Sequence, residues 1–212
     1  MKITKYSHAC VRIERDGAVL VIDPGTFSEP EALDGVDAVL ITHEHFDHLD
    51  VDKLADTLAR RPAVTVHTHP EVVPKLQAMA EVVHPVRSGE EFTAAGFTVR
   101  AYGGLHALIH PDIPPVANLG FLVENSVYHP GDSFDVPEGA TVDTLFVPIS
   151  GPWLKLSESV DFVRAVAPRR AIALHDHLLS HTGAGVYDGG MRRLLDCEYQ
   201  RLEPGVSVAA TA

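Results

Sequence analysis

One segment constrains this chain more than any other: Val36–Asp50, VDAVLITHEHFDHLD. Its first half reads as an apolar strand. Its second half, from Ile41, packs three histidines, one glutamate and two aspartates into ten residues. Immediately afterwards, Val51, Leu54, Ala55 and Leu58 recur at helical spacing, with Asp50 as the N-cap. A strand therefore runs straight into a turn rich in ligand-type side chains, and a helix leaves it.

At a strand end, the two-residue spacing of His43 and His45 points both imidazoles to one side. Asp47 and His48 follow where the chain turns into the helix, and that turn aims them at a second nearby point. Imidazole and carboxylate together suit zinc, iron, manganese or nickel, and the segment holds no cysteine to make a structural thiolate site. Four ligands from one loop make a poor closed tetrahedron. They make better sense as two half-sites that the rest of the chain completes.

Around this segment, strands come in runs with helices between the runs. ACVRIER and AVLVID flank Asp16-Gly17, a two-residue hairpin signal. AVTVHTH, FTVRAYGG, NLGFLVEN, SVYHPGD, DTLFVPIS and RAIALHD read as strands. PEVVPKLQAMAEV is expected to be a helix with Pro70 near its first turn. SESVDFVRAVAP is expected to be a helix capped by Ser157 and closed by Pro168, and a last helix is expected near VYDGGMRRLLDCEY. The pattern predicts two sheets packed together and covered by helices, in one domain spanning 1–212.

Composition narrows the partners. No apolar run approaches the roughly 20 residues of a membrane helix, and the N-terminus lacks the apolar core of a signal peptide, so the cytoplasm is expected. The two cysteines, Cys10 and Cys197, are too few for a disulfide framework and read as buried thiols. A formal charge of −12, from 29 acids against 17 bases, argues against a broad nucleic-acid face. The expected partner is a small-molecule substrate, with neither nucleic acid nor membrane; oligomeric state is left open.

The arrangement His-x-His-x-Asp-His after an apolar strand resembles the signature of the metallo-β-lactamase superfamily. The likeness extends along nearly the whole chain and is nearest to the small branch of ascorbate-phosphate lactonase-like hydrolases. It implies an α+β fold, the four-layer αβ/βα sandwich, with a site at the open edge between the sheets. Family members open with a hairpin ending in Asp-Pro, matched here by Asp23-Pro24, and that Asp supports the metal loop from behind. The family's third histidine falls in YGGLHALIHPDIP. His106 is preferred over His110 because it adjoins the strand end and Gly103-Gly104 permits close backbone approach. The bridging carboxylate falls on Asp132 in YHPGDS. The last histidine falls on His175, which ends the apolar run of RAIALHDHLLSH.

Carried over in this way, one metal takes His43, His45 and His106; the other takes Asp47, His48 and His175; and Asp132 bridges them. The implied cofactors are two divalent transition-metal ions, zinc first, with manganese and iron as alternatives. The implied reaction is hydrolysis of an ester, lactone, amide or phosphodiester by a metal-bridging hydroxide, with Asp47 binding metal and orienting the nucleophile. Iron-dependent redox chemistry on the same fold, and a metal-binding protein without turnover, are the alternatives.

The other histidines read more weakly. His8 either lines the pocket or does not. His177 is taken as exposed before it is taken as a substrate contact. His67 and His69 read as a surface strand end, and His84 and His129 as structural. Trp153 reads as core or as a pocket wall.

Overall fold

A computed structural model describes residues 1–210. In chain order the strands are β1 (Lys2–Lys5), β2 (Val11–Arg15), β3 (Ala18–Ile22) and β4 (Ala38–Ile41), followed by helix α1 (Val51–Arg60). Next come β5 (Thr65–Thr68), β6 (Val83–Pro85), β7 (Glu91–Ala94), β8 (Phe97–Leu105), β9 (Ala117–Val123), β10 (Val127–His129) and β11 (Thr144–Pro148). Helix α2 (Leu156–Val166), β12 (Arg170–Leu174), helix α3 (His181–Leu194), β13 (Glu198–Gln200) and β14 (Val206–Ala209) complete the chain.

The strands form two seven-stranded sheets, ordered β14-β1-β2-β3-β4-β5-β6 and β13-β12-β11-β10-β9-β8-β7. The β2–β3 hairpin turns through Asp16 and Gly17, at φ 52° and 85°, the left-handed pair that a tight two-residue turn requires. Alternation along the strands sorts the apolar residues into layers. Leu20, Ile22, Ala38 and Leu40 of one sheet meet Phe97, Phe121, Phe146 and Ile172 of the other in the central core. Val19, Val21, Val39 and Ile41 point the other way, against Leu54 of α1. On the far side Leu145, Val147, Ala171 and Ala173 pack on Val160 and Val163 of α2 and Met191 of α3. Both faces of each sheet are therefore covered, which is why β3, β4, β11 and β12 are near-continuous apolar runs. This is the four-layer αβ/βα sandwich.

Three elements differ from the sequence reading. The segment Val73–Val82 is a 3-10 helix rather than an α-helix, broken at Leu76 and Met79 by non-helical backbone. Pro74 lies within it, lacking the N–H that a regular helix would use. Helix α2 is capped by Lys155 rather than Ser157, with the Lys155 N–H donating to the Glu158 carboxylate at 2.6 Å. Leu156, the first residue of the helix, packs its Cδ2 against Gly190 of α3, 2.6 Å from where a Cβ would lie. His67 is not a surface strand end. It is 8% exposed, stacked between His84 and Phe92 at ring distances of 5.0 and 4.9 Å. Among the described residues, no helix is long and apolar enough to cross a membrane.

Strand direction places the site. β1 and β3 both pair antiparallel to β2, and β4 runs parallel to β3, so β1, β3 and β4 share one direction. In the second sheet β8 and β10 both pair antiparallel to β9, and β11 and β12 run parallel to β10. The C-terminal ends of these strands release His8, Asp23, the His43–His48 loop, His106, Asp132 and His175. The two edges are tied together where the Leu119 N–H donates to the Thr42 carbonyl and the His175 N–H donates to the His8 carbonyl.

Candidate metal centre

The structure brings His43, His45, Asp47, His48, His106, Asp132 and His175 to one place. Two groups form there. In each, one ligand atom per residue lies within 4.8 Å of the others: His43, His45, His106 and Asp132 in the first, and His8, Asp47, His48 and His175 in the second. The groups meet at Asp132. Its Oδ2 lies 3.3 Å from His106 Nε2 and 3.1 Å from His175 Nε2, and its Oδ1 lies 3.1 Å from His48 Nε2. Across the second group, His175 Nε2 is 3.4 Å from Asp47 Oδ2.

Local hydrogen bonds decide which imidazole nitrogen faces inward. Asp23 is fully buried, and its Oδ2 accepts from His48 Nδ1 at 2.7 Å and from the Thr42 hydroxyl at 2.7 Å. Its Oδ1 accepts from the Thr42 N–H at 2.8 Å. With its proton committed to Asp23, the Thr42 hydroxyl can only accept from His43 Nδ1, 2.9 Å away. His106 Nδ1 donates to the Ala107 carbonyl at 2.6 Å. His43, His48 and His106 thus each turn Nε2 toward the centre, the orientation a metal ligand needs.

The loop itself is pinned from two sides. The N–H groups of His48 and Leu49 donate to the His45 carbonyl at 3.0 and 2.8 Å, closing the turn before Asp50 caps α1 through the Lys53 N–H at 3.0 Å. Beside it, the Thr26 N–H donates to the Phe46 carbonyl at 2.9 Å. His8, Asp23 and His175 hold left-handed backbone, at φ 62°, 50° and 58°. Such conformations cost a non-glycine residue roughly 1–2 kcal/mol each, and they cluster where function dictates side-chain direction.

Charge follows the same design. Burial pushes His43 well below the usual imidazole range and lowers His45 as well. Burial also takes His8 down to about 4, outweighing its hydrogen bond to Asp47. These rings are neutral, with lone pairs available. Burial works against a charged His48, but Asp132 and Asp23 overcome it and hold it well above its ordinary value. His175 is pushed up to about 9 in the same way, chiefly by Asp132 against burial. Asp132 in turn stays well below the carboxylate range despite burial, because His48 and His175 surround it. The centre favours positive charge at the point where the two groups meet.

The residues fit divalent transition-metal ions. Asp132 Oδ1, His48 Nε2 and His175 Nε2 are buried and satisfy no hydrogen bond. Native interiors rarely leave such groups without a partner, and a cation is the partner that imidazole lone pairs and a carboxylate would share.

His8 belongs to the site: its Nε2 donates to Asp47 Oδ2 at 2.9 Å. His177 is exposed and stacks on Phe27, with ring centroids 5.0 Å apart. His110 is exposed and faces Asp112, away from both groups. Trp153 lies against the site, 5.5 Å from the His106 ring and 5.8 Å from His175. Two residues escaped the sequence reading. Thr42 links His43 to Asp23. Asn118 accepts from the Asp132 N–H at 3.0 Å and donates to the Pro130 carbonyl at 2.9 Å, holding the Asp132 turn. A lone asparagine in the otherwise apolar ANLGFLV strand was the available signal, since a buried amide must find partners.

Comparison with known proteins gives a consistent setting. Residues 2–175 match the family described as Beta-lactamase superfamily domain. The chain is 40% identical over 208 residues to protein Rv0786c of Mycobacterium tuberculosis, covering 95% of this chain and 96% of the relative. It is 30% identical to a UPF0173 metal-dependent hydrolase of Carboxydothermus hydrogenoformans, covering 82% and 84%. Its fold is similar to that of Igni18, a metallo hydrolase from the archaeon Ignicoccus hospitalis, with a TM-score of 0.76 and 18% identity, over 98% of this chain and 97% of the other.

Proposed function

The chain belongs to the metallo-β-lactamase superfamily, and on that premise we propose that it is a dinuclear metal-dependent hydrolase of ester, lactone, amide or phosphodiester bonds. One observation carries the reading: two ligand groups adjoin at Asp132, where buried His48 Nε2, His175 Nε2 and Asp132 Oδ1 lack hydrogen-bond partners. In this reading His43, His45 and His106 hold one ion, Asp47, His48 and His175 hold the other, and Asp132 serves both. Zinc is the first choice, because the donors are imidazole and carboxylate. The same donors also serve iron, which keeps redox chemistry as the second reading.

Bound divalent ions supply Lewis acidity, polarising an electrophilic carbonyl or phosphoryl group and making water a better nucleophile at neutral pH. The chain supplies the rest. Asp47 has one oxygen held by His8, and its carboxylate would bind metal and orient the water. Asp23, through His48 and Thr42, keeps the ligand rings in one tautomer throughout. Trp153 shields the centre on the side of His106 and His175. The reading includes one domain acting on a small molecule in the cytoplasm, without nucleic-acid or membrane partners.

The test is reconstitution with zinc, followed by a screen across the four bond types. Asp132→Ala and His45→Ala are each expected to lose metal and activity together. Full activity in either, with metal content unchanged, contradicts the proposal.

A further inference from the structure

A cavity of about 500 Å³ opens directly over the metal centre. Its floor includes His45, Asp47, His106, Asp132 and His175. Its walls are Phe27, Phe46, Ile109, Pro152, Trp153 and Leu178. Phe46 is 63% exposed and Leu178 53% exposed, and both line this one cavity, so they belong to a shared apolar wall rather than to scattered surface groups. The wall is built rather than loose: Phe46 meets Phe27 edge-on at 5.7 Å, and Phe27 stacks on His177 and packs edge-on against His8 at 5.1 Å.

The charged residues of the cavity wall are few and already committed. Among the described residues, Lys75 is the only lysine or arginine lining it, and it faces Glu44 at 3.6 Å. No arginine is present to grip a phosphate or carboxylate by its forked donors. Beyond the metal centre itself, an anionic chain carrying more than one phosphate would find no second cationic side chain lining this cavity, and it would approach a protein of formal charge −12.

We infer that this cavity receives an uncharged, apolar acyl group, so that the bond presented to the metal centre belongs to a carbonyl compound with a hydrocarbon tail rather than to a phosphodiester. The inference rests on the hydrolase reading for its chemistry, while the ligand class rests on the cavity wall alone. The tail lies along Phe46, Phe27 and Leu178 and covers surface that is otherwise wet.

Trp153, the chain's one tryptophan, lines the cavity, so its emission reports occupancy without any turnover. The probes are 2-octanone, 2-butanone and dimethyl phosphate, titrated into zinc-loaded protein. A buried methylene tightens binding about fourfold, so even partial burial of the four extra carbons is expected to make 2-octanone at least about tenfold tighter than 2-butanone. The pair Phe46→Ser and Leu178→Ser is expected to weaken 2-octanone at least fivefold and leave 2-butanone little changed. Val186→Ser, at a 67%-exposed position on α3 outside the cavity, is expected to change neither. Equal affinity for the two ketones, no saturable signal, or tighter binding of dimethyl phosphate overturns the inference. p-Nitrophenyl octanoate and bis(p-nitrophenyl) phosphate, assayed alongside, separate the two claims. Ketone preference with neither compound cleaved contradicts the hydrolase reading and supports the ligand class. Cleavage of the phosphodiester without ketone preference does the reverse.

Discussion

The Asp23 carboxylate accepts a 2.7 Å hydrogen bond from His48 Nδ1, joining residues 25 positions apart in the segments that follow the adjacent strands β3 and β4. That bond commits His48 to one tautomer and leaves its Nε2 facing Asp132. Asp23→Asn keeps the size of the side chain, and asparagine tolerates the left-handed backbone at φ 50°, so the change acts on charge and hydrogen bonding alone. Losing such a support typically costs a metal site about 10–100-fold in affinity. Competition against a chromophoric chelator is expected to find that loss in one of two sites; unaltered affinity would remove Asp23 from this role.

His8 gives a second expectation. It fixes Asp47 Oδ2 at 2.9 Å from a fully buried position. His8→Ala frees that carboxylate and is expected to weaken the ion held by Asp47, His48 and His175, again by about 10–100-fold. His8→Gln retains a donor and is expected to recover part of the loss. Equal metal affinity in all three proteins would show that Asp47 needs no such support.

A third concerns the backbone beneath the metal loop. A Cβ placed on Gly25 would lie 1.9 Å from the Asp47 carbonyl oxygen, a main-chain atom that cannot swing aside. Gly25→Ala is therefore expected to destabilise the fold by about 2 kcal/mol or more, lowering the melting temperature by roughly 4–8 °C for a chain of this size. A melting temperature within a degree of the parent would mean that the two loops separate easily.

The fourth is a pH dependence away from the metal centre. Burial lowers His67 to about 4, the nearby His84 adding to it, against an ordinary value of 6.5. The folded state therefore disfavours the protonated ring. The resulting stability is complete above pH 6.5 and is lost as the pH falls toward 4, by at most about 3 kcal/mol. His67→Phe removes the titration, and its urea midpoint is expected to fall less steeply over that interval. Parallel pH profiles for the two proteins would contradict this.

Much of the architecture was legible because both faces of the central strands are buried, and burial writes itself as apolar runs such as AVLI and RAIAL. The α1 cap was legible because Asp50 sits one residue before an amphipathic stretch. The 3-10 segment was not, since PEVVPKLQAMAEV carries helix-forming residues and only Pro74 speaks against them. Strands as short as Val83–Pro85 leave no periodicity to read. At the centre, the His43–His48 cluster is local and announces itself. His8 meets Asp47 across 39 residues, and that proximity exists only once β1 to β4 have paired into one sheet. The burial of His67 was hidden for the same reason, because its two ring partners come from β6 and β7.

On the proposed reading, Asp132 serves two ions at once. The most direct measurement is zinc per chain by elemental analysis after reconstitution and removal of free metal, for the parent protein, His43→Ala and Asp132→Ala. The expected result is close to two ions in the parent, about one in His43→Ala and fewer than one in Asp132→Ala. One ion or none in the parent, or two retained in Asp132→Ala, would contradict the shared centre.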